Sequence, residues 1–230
     1  VELTHYLHGG DFRYQLPSQE KATSYTSEMV RKWLTPAFVN APMQLTIVGD
    51  FDPEVAIPLI EKTFGALPER QTAQNQYDDK REINFPARPG NKIFTFDSKI
   101  PNGAAMVVWK IPATGKDVAR SRRFNLLSSI LSDRMREEIR EKLGGSYSPR
   151  AGAAPSQELN VGFMQALAQV KPEETKKYGN LMIELADKMA REGVTADELE
   201  RALKPIQSGL KESLRDNGYW LGTVLGDSFE

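Results

Sequence analysis

The chain has 230 residues, enough for one large domain or two small ones with a substantial core. Apolar residues make up 40% and charged residues 27%, and 30 basic against 31 acidic side chains leave a formal net charge of −1, so bulk charge gives no reason to expect a nucleic acid or an anionic membrane as partner. The absence of cysteine excludes disulfides, thiolate nucleophiles and cysteine-ligated zinc, and no apolar run approaches the roughly 20 residues of a membrane span.

The start, Val1-Glu2-Leu3-Thr4-His5, has neither an initiator Met nor a signal peptide, and the end at Gly226-Asp227-Ser228-Phe229-Glu230 follows an apolar stretch; both read as cuts through a longer polypeptide. Residues 1–17 read as an extended lead-in from a preceding domain, closed by Pro17, and residues 18–230 as a single domain truncated at its end. Thr26 is the expected N-cap of a helix from Ser27 to about Phe38, with Met29, Val30, Trp33 and Leu34 on its apolar face. Met43 to Val48 has the composition of a strand and runs into Gly49-Asp50. Asp52 caps a second helix with Pro53 at its first position; Val55, Leu59, Ile60 and Phe64 supply the helical period and Gly65 the end.

Residues 66–91 carry Pro68, Pro86, Pro89 and many charges, and read as a connection or a waist between subdomains. Ile93 to Phe96 and Ala104 to Ile111 read as strands. A long helix follows, capped by Asp117, with Phe124, Leu127, Leu131, Met135 and Ile139 on one face and Gly144-Gly145 as its stop. Ser146 to Arg150 and Leu159 to Val170 are strand candidates, the second alternating imperfectly through Val161, Phe163, Gln165 and Leu167. Two helices close the pattern, Pro172 to Arg191 and Ala196 to Arg215, with Thr195 and Glu198 forming a capping box before a last helix near Tyr219. This order predicts an α+β domain: helices packed on one face of a mixed, mostly antiparallel sheet. Trp33 and Trp109 are expected in the core, and Trp220 at a domain contact.

Three ordered stretches resemble the insulinase/pitrilysin family of zinc metallopeptidases. The first is Ala41-Pro42-Met43-Gln44-Leu45-Thr46-Ile47-Val48-Gly49-Asp50-Phe51-Asp52, continuing to Thr63-Phe64-Gly65-Ala66-Leu67-Pro68. The second is Leu131 to Ser148, containing Arg140-Glu141-Lys142-Leu143-Gly144-Gly145-Ser146-Tyr147-Ser148, and the third is Asp216-Asn217-Gly218-Tyr219-Trp220-Leu221. The resemblance spans nearly the whole chain. It implies one of four α+β domains arranged as two halves that close around a peptide, here a C-terminal domain without zinc, the final one of the second half.

That family holds zinc with a His-x-x-Glu-His helix and a downstream Glu. This chain has only His5 and His8, with no Glu between them and Gly9-Gly10 immediately after, so they read as lead-in residues rather than ligands. The resemblance therefore implies zinc in the parent enzyme, bound by another domain, and none in this fragment. Its implied partners are a peptide substrate and the zinc-carrying half, on the same chain or another. Its implied location is the periplasm, with the cytoplasm as the alternative.

The resemblance carries two site residues onto this chain, Arg140 and, seven positions on, Tyr147. The Arg donates charge-assisted hydrogen bonds to peptide carbonyls, and the Tyr hydroxyl donates to the scissile carbonyl as it gains negative charge. The residues alone also allow a bland account: an Arg that meets a helix dipole and a Tyr that starts a strand. Other constellations carry less. Leu143-Gly144-Gly145-Ser146 precedes a strand rather than a helix, which disfavours a phosphate site. Glu137, Glu138 and Glu141 sit among Arg134, Arg136, Arg140 and Lys142, as on a solvated, ion-paired helix face, and Ser128, Ser129 and Ser132 lack a histidine. The competing readings are a non-catalytic structural or peptide-binding homologue of the same fold, and an unrelated small-ligand domain.

Overall fold

The computed structural model describes residues 2–71, 78–86, 90–144, 148–157 and 159–226. The chain forms two compact units. One comprises Val1–Leu16 with Tyr77–Pro205, the other Pro17–Gln76 with Ile206–Glu230. The passage at Gln76 falls inside the proline-rich connection of residues 66–91.

The first unit carries the sheet. Strands β1 (Gly103–Pro112), β2 (Arg150–Ala154) and β3 (Val161–Val170) pair antiparallel in the order β1-β3-β2. Helix α5 (Val118–Met135) packs on β2 and β3, and α6 (Thr175–Glu192) on β1 and β3. The chain is thus α+β, with α5 and α6 supplying the core against one sheet face.

Register explains which face is covered. Ala105, Val107, Trp109 and Ile111 of β1 stand opposite Ala168, Ala166, Met164 and Gly162 of β3, and these residues point together toward the helices. The buried half of β3 is therefore Met164, Ala166, Ala168 and Val170, not the larger side chains Phe163, Gln165 and Leu167. Small alanines let the helices approach, while Leu131, Met135, Ile139, Tyr178 and Met182 fill the space above them. Strand β3 starts at Val161 and β2 at Arg150; of the expected Ser146–Arg150 strand, residues 146 and 147 lie outside the described residues.

The lead-in is not extended. Helix α1 (Glu2–Leu7) contains His5 and is followed by Gly9 and Gly10 at φ 66 and 81, then by a turn at Phe12–Tyr14. Glycine is required at position 9, where a Cβ would lie 2.1 Å from the Asn84 carbonyl oxygen. Asn160 Oδ1 accepts from the Ile83 amide at 3.0 Å, and Ile83 is buried. The 66–91 connection thus adds a core residue that its charge and proline content conceal.

The second unit holds α2 (Gln19–Thr23), α3 (Ser27–Asn40) and α4 (Pro53–Thr63). The expected caps form: Thr26 Oγ1 accepts from the Met29 amide, and Asp52 from the Glu54 amide ahead of Pro53. Among this unit's described residues none is buried, and Trp33 is 76% exposed, against the expectation of a core position. Residues 43–48 and 93–96, expected as strands, pair with no other strand among the described residues. β-propensity marks an extended segment, but a strand exists only where a second backbone satisfies its ladder.

Helix α7 (Ala196–Ser213) begins in the first unit, and the division between units falls at Pro205 within it. Helix α8 is one short turn, Asn217–Tyr219, capped by Asp216 and continued by a wider turn at Trp220–Val224. Trp220 donates its indole N–H to the Leu214 carbonyl at 2.9 Å.

Candidate functional site

The long helix expected to end at Gly144 changes winding on the way. It is α-helical to Met135 and then runs as a π-helix over Arg136–Lys142, which contains Arg140. Such wide turns concentrate at functional sites because they re-aim side chains at the cost of regular hydrogen bonding. Gly144, at φ 61, stops the run, and its amide donates to the Arg140 carbonyl at 3.2 Å.

Three features fix the segment that presents Arg140. Met135 and Ile139 are both 0% exposed and anchor one face in the core. Arg134 reaches across to α7 with a forked pair of bonds to Glu198, Nε to Oε1 at 2.6 Å and Nη2 to Oε2 at 3.0 Å, and also donates to the Gly193 carbonyl at 2.9 Å. Glu137 accepts from Arg201 at 3.2 Å. Next to buried Ile139, Arg140 is exposed. Tyr147 lies outside the described residues; in sequence it stands between Gly144 and the start of β2.

The electrostatics of this helix end are largely paired. Arg136 bridges Asp133 at 3.3 Å and Glu141 at 2.8 Å, and Lys142 bonds Glu138 at 2.5 Å. Glu137, Glu138 and Glu141 each meet a cation, so no two of them form an acid–base pair. Arg134 and Glu198 depart from the solvated picture, with side chains only 16% and 15% exposed. The Arg134 guanidinium, followed by the Thr195 amide and hydroxyl, holds the Glu198 carboxyl down at about 2, and Glu198 in turn raises Arg134. The capping box is thereby complete: the Thr195 amide donates to Glu198 at 2.8 Å, and the Glu198 amide to Thr195 Oγ1 at 3.2 Å.

The remaining candidates resolve into structural roles. Ser128 and Ser129 both donate to the Asn125 carbonyl within their own helix. His5 Nδ1 lies 3.1 Å from the Asp11 carbonyl oxygen and His8 Nδ1 2.6 Å from that of Thr4. His8 is 8% exposed, stacks on Tyr14 at 3.6 Å between centroids and meets Phe163 edge-on. Each histidine thus has one nitrogen at a carbonyl, and among the described residues no three His, Cys, Asp or Glu side chains group as a metal site. Sequence reasoning missed the change of helix winding, which leaves no periodicity signal, and missed Arg134, whose partner lies 64 residues away.

Comparison with known proteins bears on the family and the fold. A family model described as the peptidase M16 inactive domain matches residues 24–206. The periplasmic protease PqqL of Escherichia coli superposes with a TM-score of 0.80 at 15% identity, over 98% of this chain and 24% of that one. A peptidase M16 inactive domain from Pseudomonas fluorescens superposes at 0.66 with 20% identity, over 90% and 49%. The chloroplastic stromal processing peptidase of Pisum sativum is 22% identical over 94% of this chain. The chain spans 20% of the length of the curated relatives it matches.

Proposed function

The chain belongs to the peptidase M16 inactive-domain family, the insulinase-type group its motifs resemble, and from that membership we propose that it is the substrate-binding domain of a zinc-dependent metalloendopeptidase. In this reading another domain of the parent protein, or a partner subunit, holds the zinc. The present chain, which has no His-x-x-Glu-His, closes over the peptide from the second half of the enzyme. The lead-in of residues 1–17 enters from a preceding domain, and residues 18–230 form the C-terminal domain proper. The location proposed is the periplasm, by likeness to the Escherichia coli protease; no helix among the described residues is long and apolar enough to cross a membrane.

One observation carries the assignment of the site: Arg140 is exposed on a π-helical turn whose neighbours are anchored in the core and by ion pairs. A guanidinium held at its backbone spends little entropy in meeting peptide carbonyls, and its planar fork suits two oxygens at once. Tyr147 supplies a hydroxyl donor to the scissile carbonyl as charge develops on it. Removing one such donor costs about 3 kcal/mol of transition-state stabilisation, or roughly a hundredfold in turnover.

The test uses the complete protein. Arg140→Ala and Tyr147→Phe should each depress peptide turnover strongly while zinc content, measured by atomic absorption, stays at the wild-type level. The 230-residue chain alone should show no zinc-dependent cleavage. Wild-type turnover in both variants rejects the roles given to these two residues.

A further inference from the structure

The sheet has a second face, turned away from α5 and α6. It displays Met106 and Lys110 from β1, Phe163, Gln165 and Leu167 from β3, and Arg150 from β2. At one end, His8 and Phe85 pack against Phe163. Beyond that cover Met106, Lys110, Arg150, Gln165 and Gln169 are exposed.

The charged strand residues of this face are both cations. Lys110 and Arg150 are its only ionisable strand residues, and among the described residues neither has a carboxylate partner. On the helical side of the same unit Arg134 pairs with Glu198, Arg136 with Asp133 and Glu141, and Arg201 with Glu137 and Asp197. Two unpaired cations on a shallow surface of amides and half-buried aliphatics complement an anionic chain that offers both carboxylates and apolar side chains.

From this surface we propose that the outward sheet face binds an extended, acidic stretch of the substrate peptide, with Lys110 and Arg150 each meeting one carboxylate. The inference rests on the peptide-binding role proposed above and adds the chemistry of the peptide. The register sets the spacing. Lys110 stands opposite Phe163, and Arg150 opposite Leu167, four residues along β3 and on its other side. Four residues at ~3.3 Å and two strand spacings at ~4.8 Å place the two backbone positions about 16 Å apart. An extended peptide covers that distance in about five residues. The preferred segment therefore carries two Asp or Glu about four or six positions apart, the even spacings nearest that distance that keep both side chains on one face, with uncharged side chains between them.

The experiment measures fluorescence anisotropy of labelled peptides titrated with the 230-residue chain at low and high salt. One peptide carries two Glu about four residues apart, the second Gln at both positions, and the third two adjacent Glu. The spaced Glu peptide should bind about fourfold tighter than the Gln peptide at low salt, a factor of roughly two per exposed pair, and lose that advantage at high salt. Lys110→Gln and Arg150→Gln should each remove about half of the advantage, and the double variant all of it, with unchanged far-ultraviolet circular dichroism. Equal affinity for the spaced Glu and Gln peptides overturns the proposal, as does failure to bind any of them or discrimination that survives in the double variant. Equal binding of the adjacent Glu peptide also overturns it, marking a general polyanion surface instead. None of these results touches the Arg140 and Tyr147 roles, which are read in turnover of the complete protein.

Discussion

Replacing Glu198 with Gln should show how strongly one ion pair anchors the helix end that carries Arg140. The substitution keeps the side-chain length and an oxygen for the Thr195 amide, but removes the charge facing Arg134. The carboxyl titrates at about 2 in the folded chain against a usual value of 4.5. Each tenfold step in that constant is worth about 1.4 kcal/mol, so an unscreened pair would contribute about 3 kcal/mol at neutral pH. Both side chains keep some contact with water, which reduces the expected loss to about 2 kcal/mol. Because folding depresses this acid, its contribution is fully present above pH 4.5 and disappears as pH falls through about 2. The assay is urea unfolding followed by Trp109 fluorescence, in a background of Trp33→Phe and Trp220→Phe so that only the sheet-bearing unit is reported. Wild type and Glu198→Gln should differ by about 2 kcal/mol at pH 7 and converge as the pH approaches 2. A gap below about 0.5 kcal/mol at pH 7, or one that does not narrow in acid, would refute the account of this pair.

Met182 is fully buried between α6 and the sheet, and Met182→Ala should cost about 3 kcal/mol in the same unfolding assay, since the alanines of β3 below it cannot move up to fill the cavity. Gly9→Ala should free the lead-in: the added methyl meets the Asn84 carbonyl and the backbone there sits at φ 66. Limited trypsin digestion should then cut after Arg13, whose guanidinium otherwise bonds Asp11 and the Lys80 carbonyl, several-fold faster than in wild type. Unchanged cleavage would show that the lead-in is held by something other than this turn.

Much of the local structure was legible because it depends on neighbours in sequence. Thr26, Asp52 and Asp117 cap the helices they precede, each accepting from an amide two or three residues on. Thr195 and Glu198 close the capping box, and Gly144 takes the left-handed conformation that ends a helix. The apolar period of Leu131, Met135 and Ile139 named the buried face of α5, because three- and four-residue spacing fixes a face whatever the partner. The aromatic and glycine content of the lead-in points to extended chain and masks one short helix.

The sequence by itself determined the longer helices and their caps, the α+β class, the family motifs and the position of Arg140 at a helix end. Only the tertiary structure decided which half of β3 faces the core, because alternation gives two faces and register alone chooses between Ala166 and Leu167. It also decided that Trp33 stays exposed, that Arg134 finds Glu198 far along the chain, and that the helix widens over Arg136–Lys142. These outcomes depend on contacts between residues remote in sequence, whose free energy is settled by what packs against them and not by their immediate neighbours.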